Sequence, residues 1–584
     1  MHFTLYTMTF KYITLIVATL FIISYYIWRR NKNVFVLNWP IIGVLPSVLH
    51  NQSNIHDFTA LGLKHYGGTF HFKGPWFTNI ANFIVTSDPM NVHHITSKNF
   101  SNYGKGSDFH EIFDVLGVGI FNLDSNEWKQ ERKMLHSLFK RKSFEISIQQ
   151  NIQKKLENCL IPFLEHASKG VQVFDLQDIL ERFTFDITCT FLFGFDPDSL
   201  PYKFDEFSDM ACIKAISVLE DTILSRHYIP KCIWKLQKWL QICQEKKNMV
   251  AQKNIYQFLH HCIRRNKDVD ESHSSLLKEI IKKCAEKGEI VEKYIRDTTF
   301  NLLSAGNGTI SSGLSWFFWL VSTHPIVEAK IIQEIKDNCS RQDENFIINL
   351  SVEEVDKLVY LHAAICEALR LYPPVPFEHK CAVKSDVLPS GHHVTPNTKM
   401  EQIWGEDCLE FKPERWISDK GQIIQVPSYK FIAFNAGPRS CIGKDITFVQ
   451  MRMVAASILW KFHIQAVEGH SVIPRVSIVL RMKHGFKVNV SKRYNCSRQD
   501  ENFIINLSVE EVDKLVYLHG AICEALRLYP PVPFQHKCAL KSDVLPSGHN
   551  VGPNTKLIYS LYAMGRMEQI WGEDCLKFKP ERWI

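Results

Sequence analysis

No Cys-x-x-Cys pair occurs among the sixteen cysteines, and their spacing over 584 residues is irregular. That argues against a secreted disulfide framework and for mostly reduced core thiols in a cytosolic setting. No block of basic residues occurs either. The net charge of +7 is spread over pairs such as Arg29-Arg30, Lys246-Lys247 and Arg264-Arg265, which suits an anionic membrane surface or an acidic protein partner rather than nucleic acid. No glycine-rich dinucleotide motif is present, so electrons for any redox step have to come from a partner. His260-His261 has no His or Cys at ligand spacing and reads as a solvated surface pair. What remains is ordinary. Apolar residues at 45% and charged residues at 22% place the chain among globular proteins, at a length that suggests more than one domain.

One cysteine stands apart. Phe434-Asn-Ala-Gly437-Pro-Arg439-Ser-Cys441-Ile-Gly443 is a loop rich in glycine and proline, followed by a helical pattern from about Lys444 to Phe462. A cysteine binds iron as the thiolate, and a helix N-terminus lowers its pKa and offsets its charge. Gly437 and Gly443 would let the backbone approach a flat cofactor, and Arg439 would reach a carboxylate on it.

The N-terminus adds a second theme. Tyr12 to Trp28 is an uncharged run of seventeen residues followed by Arg29-Arg30-Asn31-Lys32. The run is just long enough to span a bilayer, and the basic residues after it place the rest of the chain on the cytoplasmic side. No small-residue cleavage motif follows, which favours an uncleaved anchor over a signal peptide. Asn38-Trp-Pro40-Ile-Ile-Gly43-Val-Leu-Pro46 then reads as a stiff hinge.

Further along, short β-like runs between His71 and Thr86 predict a small sheet. Trp128-Lys-Gln-Glu-Arg132 lies on a helical stretch, where a spacing of four points an indole N–H and a guanidinium the same way. Residues 156–284 are helical in pattern, and nothing there names a substrate. A long apolar helix from Ile295 to Ser322 contains Ala305-Gly306-Asn307-Gly308-Thr309. Each interior glycine costs about 1 kcal/mol, and a groove for dioxygen beside a proton-relaying hydroxyl would give both a reason. Glu367-Ala-Leu-Arg370 precedes Pro373-Pro374, and Pro413-Glu-Arg415-Trp416 follows it. The first pair can share a helix face.

Together these motifs resemble the cytochrome P-450 superfamily, from the N-terminal run to about Ser491. The stretches Phe434–Arg439 and Gly119-Ile-Phe-Asn-Leu-Asp124 look like the plant branch that hydroxylates fatty acids and long-chain alkanes. The resemblance implies a mainly α fold with a small β-sheet domain and an N-terminal membrane anchor. It implies haem b on the Cys441 thiolate, with Phe434, Gly437 and Gly443 shaping the loop and Trp128, Arg132 and Arg439 holding the propionates. Thr309, beside Ala305 and Gly306, falls in the oxygen-activating position, and Glu367, Arg370 and Arg415 form a network bracing the haem loop. The implied partners are NADPH–cytochrome reductase, dioxygen, a hydrophobic small molecule and the endoplasmic reticulum membrane, with the catalytic domain on the cytosolic side and no nucleic acid. The chain departs from the pattern at Gly308, where the family usually has Asp or Glu. That loss, together with a strand missing from the repeat described next, favours an alternative, a haem-binding protein with impaired catalysis; a faulty gene model of a tandem duplicate is the other.

Residues 338–417 recur as 495–584. Six of the 80 shared positions differ, and the later copy holds ten more residues, Leu557-Ile-Tyr-Ser-Leu-Tyr-Ala-Met-Gly-Arg566, where the earlier one joins Lys399 directly to Met400. Glu524 and Arg527 thus repeat Glu367 and Arg370, without a second cysteine loop. A solenoid is excluded, since copies separated by unrelated sequence cannot stack. The expected organisation is an anchor over 1–31, a haem-thiolate domain over 32–494 and a partial duplicate over 495–584. It arises by partial tandem duplication or by joining exons of neighbouring gene copies. The decapeptide reads as a strand and turn that the first copy lacks, and the tail would fill the gap by adding it. Sequencing the transcript across the codons for 395–405 and 485–500 separates the two: the same junctions mean a real duplication, and a decapeptide in the first copy means a misjoined gene model.

Overall fold

The computed structural model describes residues 42–583 except 52–53, 73, 76–82, 171, 201–210, 269–274, 287–291, 339–357, 376, 391–392, 395–410, 419–420, 494–515, 531–533 and 553–554, and before 42 it describes 14–15, 17–19, 21–22, 25–26, 29, 35–36 and 39. Most of it is helical. The helix Glu292–Thr323 runs through the centre and packs against Leu176–Phe193, Lys444–Lys461 and Val359–Leu371. Its apolar and small residues face inward nearly all round, with Ile310, Leu314, Trp316, Phe317 and Leu320 in the largest core cluster, which suits a helix surrounded by others. The Lys444–Lys461 helix begins just after Gly443, where the sequence placed it.

Two sheets flank the helices. The small antiparallel one joins Phe174–Asp175, Lys487–Lys492 and Phe462–Ala466. In the larger one, Thr69–Phe72 pairs antiparallel with Phe83–Thr86, the small sheet expected near residues 71–86. Next to Phe83–Thr86 lies Lys556–Ser560 of the tail, parallel, with Leu557 opposite Ile84 and Tyr559 opposite Thr86. On its other edge it pairs antiparallel with Phe534–Val544. The decapeptide therefore does form a strand and short helix within the sheet, as its apolar pattern suggested. Leu557, Ile558, Tyr559, Leu561 and Met564 are all buried. The Tyr562 hydroxyl donates to Asp57 Oδ1 at 2.7 Å, tying the short helix Leu561–Met564 to Ile55–His65.

The two repeats converge on one position. Helix Val516–Leu528 lies along helix Val359–Leu371, and the strands Phe377–Val387 and Phe534–Val544 run parallel in repeat register, Phe377 beside Phe534 through Ala382 beside Ala539. Each ring meets its own counterpart: Trp416 meets Trp583, Phe411 meets Phe578, and Tyr372 meets Tyr529. The rings of His362 and His519 are 2.6 Å apart. Carbon atoms in contact stay about 3.5–4 Å apart, and packed helices keep about 8–10 Å between axes. The fold thus has one berth for this sequence, one copy fills it at a time, and the structure gives the place each would take. Cys366 and Cys523 are likewise one repeat position, with Cα atoms closer together than in any cysteine pair that coexists. Among the described residues nine other cysteines are free.

Among the described residues no helix is long and apolar enough to cross a membrane. The run 12–28 falls partly outside them, and its described apolar members Leu15, Val17, Phe21 and Ile22 are exposed. In the hinge, Asn38, Pro40 and Ile41 also lie outside, while Trp39 and Gly43 exchange backbone hydrogen bonds of 2.9 and 2.8 Å.

Only the second copy carries the strand that closes the gap beside Phe83–Thr86. Its larger buried side chains, Leu557, Ile558, Tyr559, Leu561 and Met564 among them, are worth about 2 kcal/mol each, together on the order of the stability of a whole domain. Ending the chain at Tyr494, which spares the Arg493 bonds to Leu459 and Phe462, is expected to lower the melting temperature and haem retention together; unchanged haem content after gel filtration would count against the tail as part of the core.

Candidate functional site

A cavity of about 410 Å³ opens between the Cys441 loop and the middle of the Glu292–Thr323 helix. Cys441, Phe434, Arg439 and Gly443 border it on one side, and Ala305, Gly306 and Thr309 on the other. Trp128 and Arg132, from the helix Ser125–Phe139, also line it. Gly437 does not. The remaining wall is apolar, with Phe113, Leu116, Ile216, Leu219, Phe300 and Val479 among its members.

The loop is held by its backbone. Cys441 N–H donates to the Phe434 carbonyl at 2.7 Å, closing the turn that presents the sulfur. Gly437 has φ of 65°, and a Cβ there would run into the Thr96 carbonyl, so its lack of a side chain serves the loop's packing rather than approach to a cofactor. Cys441 Sγ is open to the cavity and otherwise enclosed. Burial pushes its thiol up, opposed by the Gly443 N–H and the Arg132 guanidinium. The expected downward pull of the helix start is present but weaker than desolvation.

Arg439 Nη2 donates to the Leu123 carbonyl at 2.9 Å and pairs with Asp124. Its guanidinium lies over the Trp128 ring at 4.6 Å. Arg132 Nη2 donates to Ser440 Oγ at 3.3 Å, and burial lowers its pKa. Two cations and a buried indole thus gather beside an open cysteine sulfur. This donor set fits the iron and the acidic edge of a haem, and the cavity leaves a slot between the sulfur and the long helix.

On that helix Thr309 Oγ1 donates to the Ala305 carbonyl at 2.6 Å. Gly306 borders the cavity, and each of the two glycines also has a packing neighbour. A Cβ on Gly306 would come within 2.8 Å of Thr188 Cγ2 on the Leu176–Phe193 helix, so its absence permits close helix packing. Gly308 faces Arg481 and Glu220, two residues that sequence reasoning missed because Glu220 is about ninety positions away on another helix and Arg481 sits in a loop. Val479 and Ile478 of the same loop were missed for the same reason.

Glu367, Arg370 and Arg415 come together as expected, though not at the cavity. Arg370 Nη2 lies 2.6 Å from Glu367 Oε1 and Arg415 Nε 3.3 Å from the same oxygen, all fully buried. Trp416 Nε1 donates to Glu367 Oε2 at 3.0 Å, and Trp583 Nε1 makes the matching bond to Glu524 Oε2 at 2.9 Å. Phe431 packs on Trp416 at 4.8 Å, which links this network to the loop before Cys441. From the tail, the Tyr559 hydroxyl reaches Asn435 Oδ1 at 2.9 Å, a second link into that loop.

The Cytochrome P450 family matches residues 35–490 and 498–584. Alkane hydroxylase MAH1 of Arabidopsis thaliana is 40% identical over 506 residues, covering 82% of this chain and 99% of that protein. Noroxomaritidine synthase 2 of Narcissus aff. pseudonarcissus MK-2014 is also 40% identical, over 78% of this chain and 91% of that protein. Cytochrome P450 86B1 of Arabidopsis thaliana is 36% identical over 86% and 91%. Relatives with such different names at equal identity leave the substrate open. They agree with the cysteine loop, the paired arginines and the threonine-bearing helix that flank the cavity, and on that combined ground the chain belongs to the cytochrome P450 family of haem-thiolate monooxygenases.

Proposed function

We propose that this protein hydroxylates a long-chain alkane or fatty acid at the endoplasmic reticulum membrane, with electrons from NADPH–cytochrome reductase. The observation that carries the reading is the cavity, which has Cys441 on one wall, Thr309 on the other and mostly aromatic and aliphatic side chains between them. Such a wall pays little to strip water from a hydrocarbon chain and offers few groups to fix a polar substrate. The relative named as an alkane hydroxylase supports the same substrate class.

Haem, when bound, supplies activation of dioxygen and insertion of one oxygen atom into a C–H bond. The chain supplies the rest. Cys441 would ligate the iron as thiolate, and Arg132, Arg439 and Trp128 would hold the propionates through charge-assisted bonds. Thr309 would hand a proton from its hydroxyl toward the oxygen site. The apolar wall excludes bulk water, which limits loss of reducing equivalents. Glu367, Arg370 and Arg415 would brace the loop from below.

Membrane placement draws on two exposed surfaces. Ile233, Leu236, Trp239 and Leu240 are exposed on the helix Lys231–Leu240, with Lys231, Lys235 and Lys238 beside them, the make-up of an interfacial patch. The N-terminal run supplies the anchor.

Gly308 favours a second reading, a haem-binding protein that turns over poorly. Product formed per NADPH consumed with a long-chain alkane or fatty acid separates the two, and consumption without product would establish the second. Reduced protein under carbon monoxide is expected to show the red-shifted Soret band of thiolate ligation, and Cys441→Ser to abolish it. A band that survives in the variant would assign the iron to another ligand.

A further inference from the structure

The side chain missing at Gly308 has a neighbour of the right chemistry. A Cβ built on Gly308 would lie 2.9 Å from Arg481 Nη2 and 3.5 Å from Glu220 Oε1. Glu220 comes from the helix Ala211–Tyr228, is 8% exposed and borders the same cavity as Thr309. Arg481 Nη1 lies 3.1 Å from Glu220 Oε2, and Arg481 Nη2 lies 3.0 Å from Glu181 Oε1. Two buried carboxylates therefore share one guanidinium. With both ionised the cluster carries an uncompensated negative charge in a poorly solvated place, and keeping one proton relieves it.

The other charged groups around the cluster have partners of their own. Asp221 and Arg475 pair with each other, about a third exposed, and Arg475 also donates to Ser217 Oγ at 3.2 Å. Asp178 and Arg182 pair at 3.0 Å on the helix that carries Glu181. Burial first, reinforced by Glu181 and Asp221 and opposed by Arg481 and Arg475, pushes the Glu220 carboxyl up to about 7. Glu181 moves in the same direction.

We propose that Glu220 supplies, from the neighbouring helix, the proton-delivering carboxyl that Gly308 lacks, with Arg481 holding it against Gly308, the residue before Thr309, on the cavity they share. The proposal rests on the monooxygenase reading above. In the step, the Glu220 O–H bond breaks and its proton passes toward Thr309 Oγ, while Thr309 gives its own hydroxyl proton to the oxygen being reduced. Glu220 is left as a carboxylate paired with Arg481 and regains a proton from solvent on the side where Asp221 and Arg475 reach the surface. The electrons come from the reductase, and none move at Glu220. An acid that titrates near neutrality is suited to this exchange, because it both gives and recovers a proton at working pH.

The test uses the full-length, haem-loaded protein. Infrared difference titration of the unaltered chain should show a protonated carboxyl stretch that disappears around pH 7, and Glu220→Gln should remove that band. With the carbon monoxide Soret band intact, Glu220→Gln should lower product per NADPH by about tenfold and flatten the rise of coupling toward acid pH, with hydrogen peroxide increasing. Adding Gly308→Asp to Glu220→Gln should restore coupling, since the new carboxylate would meet Arg481 from the other side. Absence of the titrating band in the unaltered protein overturns the proposal whatever the variants do. So does full coupling in Glu220→Gln, or failure of Gly308→Asp to restore it. An unaltered protein without the red-shifted Soret band would instead overturn the monooxygenase reading.

Discussion

The buried pairing of Glu367 with Arg370, repeated by Glu524 with Arg527, is the constraint on which the catalytic half of the molecule hangs. All four side chains are essentially without solvent. A buried carboxylate and guanidinium lose hydration worth several kcal/mol each, and only mutual pairing with further hydrogen bonds makes their position tolerable. Those further bonds are what spread the influence outward. Trp416 ties the glutamate to Phe431, the loop from Phe431 runs to Cys441, and the sulfur takes its direction from that loop. The choice between copies comes from space rather than charge, since counterpart side chains such as Tyr372 and Tyr529 fall on the same position.

Much of this was legible in the sequence. The cysteine loop, the Trp-x-x-x-Arg spacing and the Ala-Gly-Asn-Gly-Thr stretch are local patterns, and the fold brings all of them to one cavity. Helix limits around Lys444 and Glu292 came out close to expectation because apolar periodicity and proline stops are local too. The strand character of Leu557-Ile-Tyr was readable for the same reason. What was hidden depends on distant pairing. Glu220 and Arg481 look like ordinary surface charges until the Ala211–Tyr228 helix and the loop near Val479 close over Gly308. The packing neighbours of Gly306 and Gly437 were hidden for a related reason: a glycine announces that something comes close, and the sequence does not say what. Here Thr188 and the Thr96 carbonyl come close, and both belong to the protein itself.

The cavity balances two demands. Its wall must be apolar enough to take a hydrocarbon, yet a reaction on oxygen needs protons. The arrangement resolves this with aromatic and aliphatic residues around most of the wall and few ionisable groups, Arg132 and Arg439 near the sulfur, Glu220 by Gly308, and Lys105 and His227 elsewhere on the lining.

The single berth also has a consequence for redundancy. A side chain of the repeated segment has a counterpart that takes the same place, as Tyr529 does for Tyr372 and Phe578 for Phe411. The decapeptide from Leu557 to Arg566 occurs once, so its strand has no stand-in, and the sheet beside Phe83–Thr86 depends on the second copy alone.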